Sequence, residues 1–408
     1  MNVFVARQPI FDGANTLVGY ELLYRRDETF TFAEGADPEA MSARVISNAF
    51  LGVGIAELTG GVRAFVNFTR DHLVQRTYEL FDPNEVIIEL LETIRCDEET
   101  LRACTAMCAA GYRFALDDFV YDESIEPLLA LADIVKLDVL NRDEADLRAQ
   151  VARLAHFKGR LLAERVETQS VHASCERMGF QLFQGYFYAR PETVAKEDLE
   201  ASQIAVLRLL TLLRDDRVSD AQLGAALRGD PSLCYKLLRI VNSAAMGGQG
   251  IESIEHALRL VGRSKLHRWL AVIFAASFAT RGGTTRELAL RALARGRFCE
   301  LVARRSARGL DAEALFMTGM ISMMDALMCV PISRVVELVE VSDEVRSALV
   351  ARMGSHAPML RLADAYEGGD WDLAHLLGTS VGITDGELAS SYAQSLTWAH
   401  EQLTTAAD

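Results

Sequence analysis

The chain has 408 residues, half of them hydrophobic, which is enough apolar material for two ordinary domain cores and excludes disorder as its main state. Its 42 basic side chains face 57 acidic ones, a formal net charge of -15. It therefore lacks the basic face that sequence-independent binding of a nucleic-acid polymer needs. A small anionic ligand remains compatible, because a local arginine or a bound metal overrides global charge.

In chain order, the start MNVFVARQPIF has no basic region followed by a long apolar run and a small-residue cleavage site, so no secretory leader is expected. Short β-branched runs follow, with strands predicted at Val3–Ala6, Val18–Tyr24, Val62–Asn67, Val86–Glu89, Arg113–Asp117, Ile134–Asp138, Arg160–Ala163 and Gln181–Tyr186. Amphipathic segments between them predict helices over Glu39–Leu51, Glu98–Ala110, Asp143–Phe157 and Ser170–Met178. Cys104 and Cys108 lie four apart on the second of these and read as buried thiols rather than zinc ligands. The seven cysteines are odd in number and irregular in spacing, which is no disulfide framework. Strand and helix in alternation point to a parallel sheet with covering helices. Eight strands in so short a stretch fit a compact (β/α) TIM-like barrel. Arg190-Pro191 ends the pattern.

From Lys196 onward the strand signals stop. Helix starts are marked by Ser219 before Asp220, Asp230 before Pro231, and Ser253 before a periodic apolar run. Leu233, Leu237, Leu238 and Val241 share one helical face, as do Ile254, Leu258 and Val261. The strongly apolar stretch Trp269–Ala279 is shorter than the ~20 residues a bilayer span needs. Met317, Met320, Met323, Met324 and Met328 fall near one stripe and read as core. The fold class is thus α/β plus all-α, a TIM-like barrel over residues 1–195 and a helical domain over residues 196–408. The expected location is the cytoplasm, with no membrane span.

The predicted strands end in a polar series: Glu21, Asn67, Glu89, Asp117 with Asp118, Lys136 with Asp138, Glu164, and Gln184. In a parallel barrel such ends gather at one mouth. Several carboxylates in one place repel unless cations neutralise them. Oxygen donors alone suit hard divalent ions, Mg or Mn. Two such ions about 3.5–4 Å apart suit in-line attack of water on a phosphodiester.

The same residues carry a resemblance. Gln8-Pro9-Ile10, Glu21-Leu22-Leu23-Tyr24-Arg25, Val66-Asn67, Glu89-Leu90-Leu91-Glu92, Asp117-Asp118-Phe119, Lys136-Leu137-Asp138, Ala163-Glu164-Arg165-Val166-Glu167 and Gln184-Gly185-Tyr186-Phe187 resemble, in order and spacing, the motifs of EAL-type cyclic di-GMP phosphodiesterases. The resemblance implies that Glu21, Asn67, Glu89 and Asp117 hold metal, with Asp118 and Glu164 beside them. It implies that Lys136 orients or activates the water, so that Glu21, Lys136 and Glu164 are the catalytic set. Gln8, Arg25, Asp138, Glu167 and Gln184 would line the ligand, Arg25 meeting a phosphate as guanidinium geometry allows.

Two departures bear on activity. The signature triplet reads Glu21-Leu22-Leu23, with leucine where the family has alanine, and overpacking there would narrow the pocket. The loop after the paired aspartates reads Val120-Tyr121-Asp122-Glu123-Ser124-Ile125 where the family has Gly-x-Gly-Tyr-Ser-Ser, so both glycines and their easy access to positive φ are lost.

Residues 197–395 resemble the HDOD domain, a relative of the HD phosphohydrolases. The resemblance is carried by Gly229-Asp230-Pro231-Ser232-Leu233, Leu237-Leu238-Arg239-Ile240-Val241-Asn242-Ser243-Ala244, Ile254, His256-Ala257 and Leu260-Val261-Gly262. Catalytic HD domains bind metal through adjacent histidine and aspartate. This chain has Met323-Met324-Asp325 at the corresponding place, and a thioether does not replace imidazole for a hard cation. The expectation is a signalling protein whose barrel senses cyclic di-GMP with weak or no hydrolysis, its helical domain relaying to a partner protein. The alternative is an active metal-dependent phosphodiesterase giving the linear dinucleotide. A homodimer is compatible with either.

Overall fold

The computed structural model describes residues 3–26, 55–140, 142–185, 201–214, 217–228, 233, 262–279, 283–328, 330–339 and 341–407. Two compact units are defined by contact. One comprises Met1–Glu192, Gly282–Glu287 and Leu362–Thr397; the other comprises Thr193–Arg281, Leu288–Arg361 and Trp398–Asp408.

The first unit contains a closed barrel of eight strands in sequence order. They are β1 (Val3–Asp12), β2 (Leu17–Arg26), β3 (Arg63–Phe68), β4 (Val86–Leu90), β5 (Arg113–Leu116), β6 (Ile134–Asp138), β7 (Arg160–Glu164) and β8 (Leu182–Gln184). Each falls where the β-branched runs predict one. The sheet departs from the all-parallel expectation at β1, which runs antiparallel to both β2 and β8. The cause is the connection: only residues 13–16 separate β1 from β2, whereas a parallel crossover takes a dozen residues or more. Asp12 fixes that turn, its Oδ1 accepting from the Ala14 amide at 2.9 Å and the Thr16 amide at 2.8 Å. β1 also runs past its predicted end at Ala6, through Pro9. Proline is tolerated because β1 pairs with β8 only at Ile10–Asp12, so the ladder on that side does not reach Pro9.

Helices α1 (Glu98–Ala109), α2 (Glu144–Arg153) and α3 (Gln169–Met178) follow the prediction closely, each opened by a side-chain cap, Asp97, Asp143 and Thr168 respectively. The predicted helix over Glu39–Leu51 lies outside the described residues. Cys104 is fully buried, and burial pushes its thiol up to about 12.

In the second unit, α4 (Ala201–Arg214) and α5 (Asp220–Arg228) precede α6 (Arg263–Ala279), the long α7 (Gly283–Arg305), of which residues 288–305 belong to this unit, and α8 (Ala312–Ile321). α6 packs against α4 and α8, burying Leu266, Leu270, Phe274 and Phe278. Glu300 on α7 is wholly buried and takes Arg268 bidentately at 2.6 and 2.7 Å, with Arg297 and Arg304 each at 2.7 Å. Those guanidiniums outweigh the cost of burial and hold the Glu300 carboxyl below its usual range. Met320, Met323, Met324 and Met328 are buried as core, whereas Met317 lines a cavity of 320 Å³. Among the described residues no helix is long and apolar enough to cross a membrane.

Candidate active site

Side chains along a strand alternate between the barrel interior and the outer face. Ile10, Phe65, Ile87, Ala115, Ile134, Leu162 and Leu182 form a buried apolar layer inside the barrel. Two residues further along each parallel strand, the same face presents Asn67, Glu89, Asp117, Lys136, Glu164 and Gln184. Because β1 runs the other way, its member of this upper layer stands two residues earlier, at Gln8. On β2, Gly19 lies low in the barrel, where a Cβ would come within 2.9 Å of the Phe65 ring, and Glu21 follows two residues on. One pleat therefore separates an oily floor from a polar tier, and strand register alone assembles the tier.

At its centre is the ammonium of Lys136, fully buried. Its Nζ lies 2.7 Å from Glu89, 2.8 Å from Asp117, 2.8 Å from Glu164 and 3.3 Å from Glu21. Gln184 donates to Glu21 at 2.7 Å and to Gln8 at 2.8 Å, while Asn67 Nδ2 stands 3.5 Å from Glu21 Oε1.

The charges do not balance. Burial would strip Lys136 of its proton, but the carboxylates around it outweigh that effect and raise its pKa well above normal. It is thus an ammonium at neutral pH, able to donate but not to act as a base. Burial also favours a protonated Glu21, yet Lys136, Gln184 and Asn67 prevail and keep its carboxyl below the usual range. The other three move up. Burial and then the Glu21 charge push Glu89 well above normal. Burial raises Asp117, with Lys136 opposing, and raises Glu164 to about 7.

Among the described residues, no three His, Cys, Asp or Glu side chains stand together in a metal-holding arrangement; the ammonium fills the space between the carboxylates. The donor set still fits a hard divalent cation. All its acidic groups are oxygen donors, Oε2 of the wholly buried Glu89 has no hydrogen-bond partner, and four carboxyls share a single ammonium.

The remaining expected residues are placed as follows. Asp118 is exposed with φ +42°, and Asp138 sits at the end of β6, ion-paired to Arg165. Glu167 is exposed, and no contact joins it to the tier. Arg25 belongs to β2, but its side chain lies outside the described residues, as does the motif beyond Gly185. The glycine-free loop follows a regular path: no residue of Val120–Ile125 has a positive φ, the Phe119 amide before it donates to Lys136 O at 3.0 Å, and Asp122 caps a short 3-10 turn over Glu123–Ile125. Tyr121 is hydrogen-bonded to Glu126.

In the helical unit, Met323 and Met324 are buried, and Asp325 Oδ1 accepts from the Ala326 amide at 2.8 Å. The segment Asp230–Ser232, and all of the motif from Leu237 to Val261, lies outside the described residues.

Two domain families match this chain, an EAL domain over residues 63–191 and an HDOD domain over residues 201–351. A relative matches along nearly its whole length: the uncharacterized protein YuxH of Bacillus subtilis (strain 168) is 32% identical over 408 residues, covering 98% of each chain. The chain belongs to the EAL–HDOD family. A second relative, named cyclic di-GMP phosphodiesterase CdgJ, from Vibrio cholerae serotype O1, is 31% identical over 373 residues, 90% of this EAL–HDOD chain and 85% of that protein. Among solved structures, the Klebsiella pneumoniae BlrP1 complex with calcium and cyclic di-GMP is 25% identical, covering 47% of this chain and 56% of that one at a TM-score of 0.38.

Proposed function

We propose that the barrel mouth binds cyclic di-GMP and, with divalent cations, opens it to the linear dinucleotide. The observation that carries this reading is the convergence of Glu21, Glu89, Asp117 and Glu164 on the Lys136 ammonium, four carboxyls to one cation. Glu21, Asn67, Glu89 and Asp117, with Asp118 and Glu164 beside them, would hold two Mg or Mn ions. When bound, such ions polarise a phosphoryl oxygen and supply a metal-activated water. Lys136, as a fixed and wholly buried ammonium, would keep the carboxylates gathered. Gln184 holds Glu21 in place from within the tier and is itself anchored by donating to Gln8. The Vibrio cholerae relative, named for this activity, supports the reading.

A second reading, a sensor with weak or no hydrolysis whose helical half relays to a partner protein, is favoured by the loop Val120–Ile125. It has lost both family glycines, and Val120 projects into solvent at 64% exposure. On that reading the ammonium alone keeps a ligand-ready mouth. A functional division near residue 195, a cytoplasmic setting and a homodimer are further parts of the proposal.

The deciding experiment is product analysis of the purified chain with cyclic di-GMP and Mn²⁺, alongside Glu21→Ala. Linear product from the wild type only supports the enzyme. Binding without product supports the sensor. Product from Glu21→Ala at the wild-type rate would remove the site assignment.

A further inference from the structure

Arg165 follows the tier residue Glu164 and has φ +55°, a left-handed conformation that a side chain other than glycine adopts at a cost. The backbone on both sides is pinned. Glu164 O accepts from the Val139 amide at 3.2 Å, and the Val166 amide donates to Gln184 O at 2.9 Å. Gly185 packs so closely on this peptide that a Cβ there would lie 2.3 Å from Val166 N and 2.9 Å from Arg165 C. The result is a rigid corner that projects the Arg165 side chain over the rim, 57% exposed and paired with Asp138 at the end of the neighbouring strand.

An anion faces a difficulty at this mouth. Glu21, Glu89, Asp117, Asp118, Asp138 and Glu164 all stand at or above the tier, and the Lys136 ammonium is wholly buried beneath them. Among the described strand-end residues, Arg165 is the cation that solvent reaches. A guanidinium is planar, permanently charged and matched to phosphate in a two-pronged contact. The Asp138 carboxylate that holds it now is an anion of similar geometry, which a phosphate would replace.

We infer that Arg165 is a binding residue for a phosphodiester entering the barrel mouth, trading its contact with Asp138 for the phosphate. This rests on the cyclic di-GMP reading above and adds a residue to it. The strained corner is what sets the guanidinium over the mouth.

The test is calorimetric titration of cyclic di-GMP into the full chain, once in chelator and once with Ca²⁺. Wild type is compared with Arg165→Ala, Arg165→Gly and Arg165→Lys, and thermal melting is followed for each. Losing a charge-assisted phosphate contact should raise Kd about ten- to a hundredfold in the alanine and glycine variants, with lysine between them and the wild type. Glycine relieves the left-handed backbone, so its loss of affinity isolates the guanidinium from folding. Wild-type affinity in Arg165→Ala and Arg165→Gly with a lowered melting temperature would overturn the inference and leave Arg165 as a structural partner of Asp138. No binding by the wild type in either condition would overturn both this and the cyclic di-GMP reading.

Discussion

Replacing Lys136 with methionine, which keeps the stem and removes the ammonium, asks what holds the carboxylates together. Nζ lies within 3.3 Å of four carboxylates and is inaccessible to solvent. Removing one partner of a buried ion pair costs about 3–5 kcal/mol. For a unit of roughly 150–250 residues this lowers the melting temperature by about 6–20 °C. The loss should depend on pH, and its sign follows from Glu164. That carboxyl, pushed to about 7 when folded, keeps a proton that the unfolded chain has released. Its contribution to stability therefore falls as pH rises from the ordinary carboxylate range through about 7. Without the ammonium all four carboxyls move up, Glu21 from below its usual range and the other three from above it, so the deficit of Lys136→Met should be small at about pH 5.5 and full at about pH 8.5. Excess Mn²⁺ should narrow it. Scanning calorimetry of the full chain, following the transition that Mn²⁺ shifts, reads this directly. A variant melting within about 2 °C of wild type at the higher pH, or a deficit indifferent to pH, would refute the reasoning.

Two further outcomes are expected. Glu300→Ala should destabilise the helical unit by about 3 kcal/mol in urea, at the lower end of the range for broken buried pairs because Arg297 and Arg304 are partly solvated. Glu300→Gln, which retains an acceptor, should lose less, and equal loss in both would sink the charge argument. Cys104 and Cys175, whose thiols burial raises to about 12 and about 11, should resist iodoacetamide in the native chain near pH 8 while Cys96 is modified; peptide mapping that finds Cys104 alkylated as fast as Cys96 would contradict this.

The positions of the eight strands were legible because each is a short β-branched run bounded by turn residues or charged helices. Direction was harder: period-two alternation is the same for either sense, and the cue for β1 is the four-residue connection at Gly13–Thr16. Most tier residues could be named from the sequence because strand ends share a mouth. Their arrangement around Lys136 could not, since Glu21 and Lys136 are 115 residues apart in the chain and meet only through register. Arg165 lies within the Ala163–Glu167 motif, where no local feature marks it as a ligand contact. Its backbone angle, set by the close packing of Gly185 just beyond β8, is a tertiary property with no local signal. The glycine-free segment Val120–Ile125 holds no residue of positive φ, and the left-handed residue nearest to it, Asp118, precedes it.

The closure of the barrel through an antiparallel hairpin has a practical side. The segment matching the EAL family begins at residue 63, where β3 begins, so a fragment cut to that match would lose β1 and β2. β3 and β8 would then carry rows of unsatisfied amides and carbonyls, a template for pairing between chains. Such a fragment should precipitate or associate in solution, and it would lack Glu21. Inactivity or insolubility of a fragment trimmed in this way would therefore report on the trimming, not on the chemistry of the intact protein.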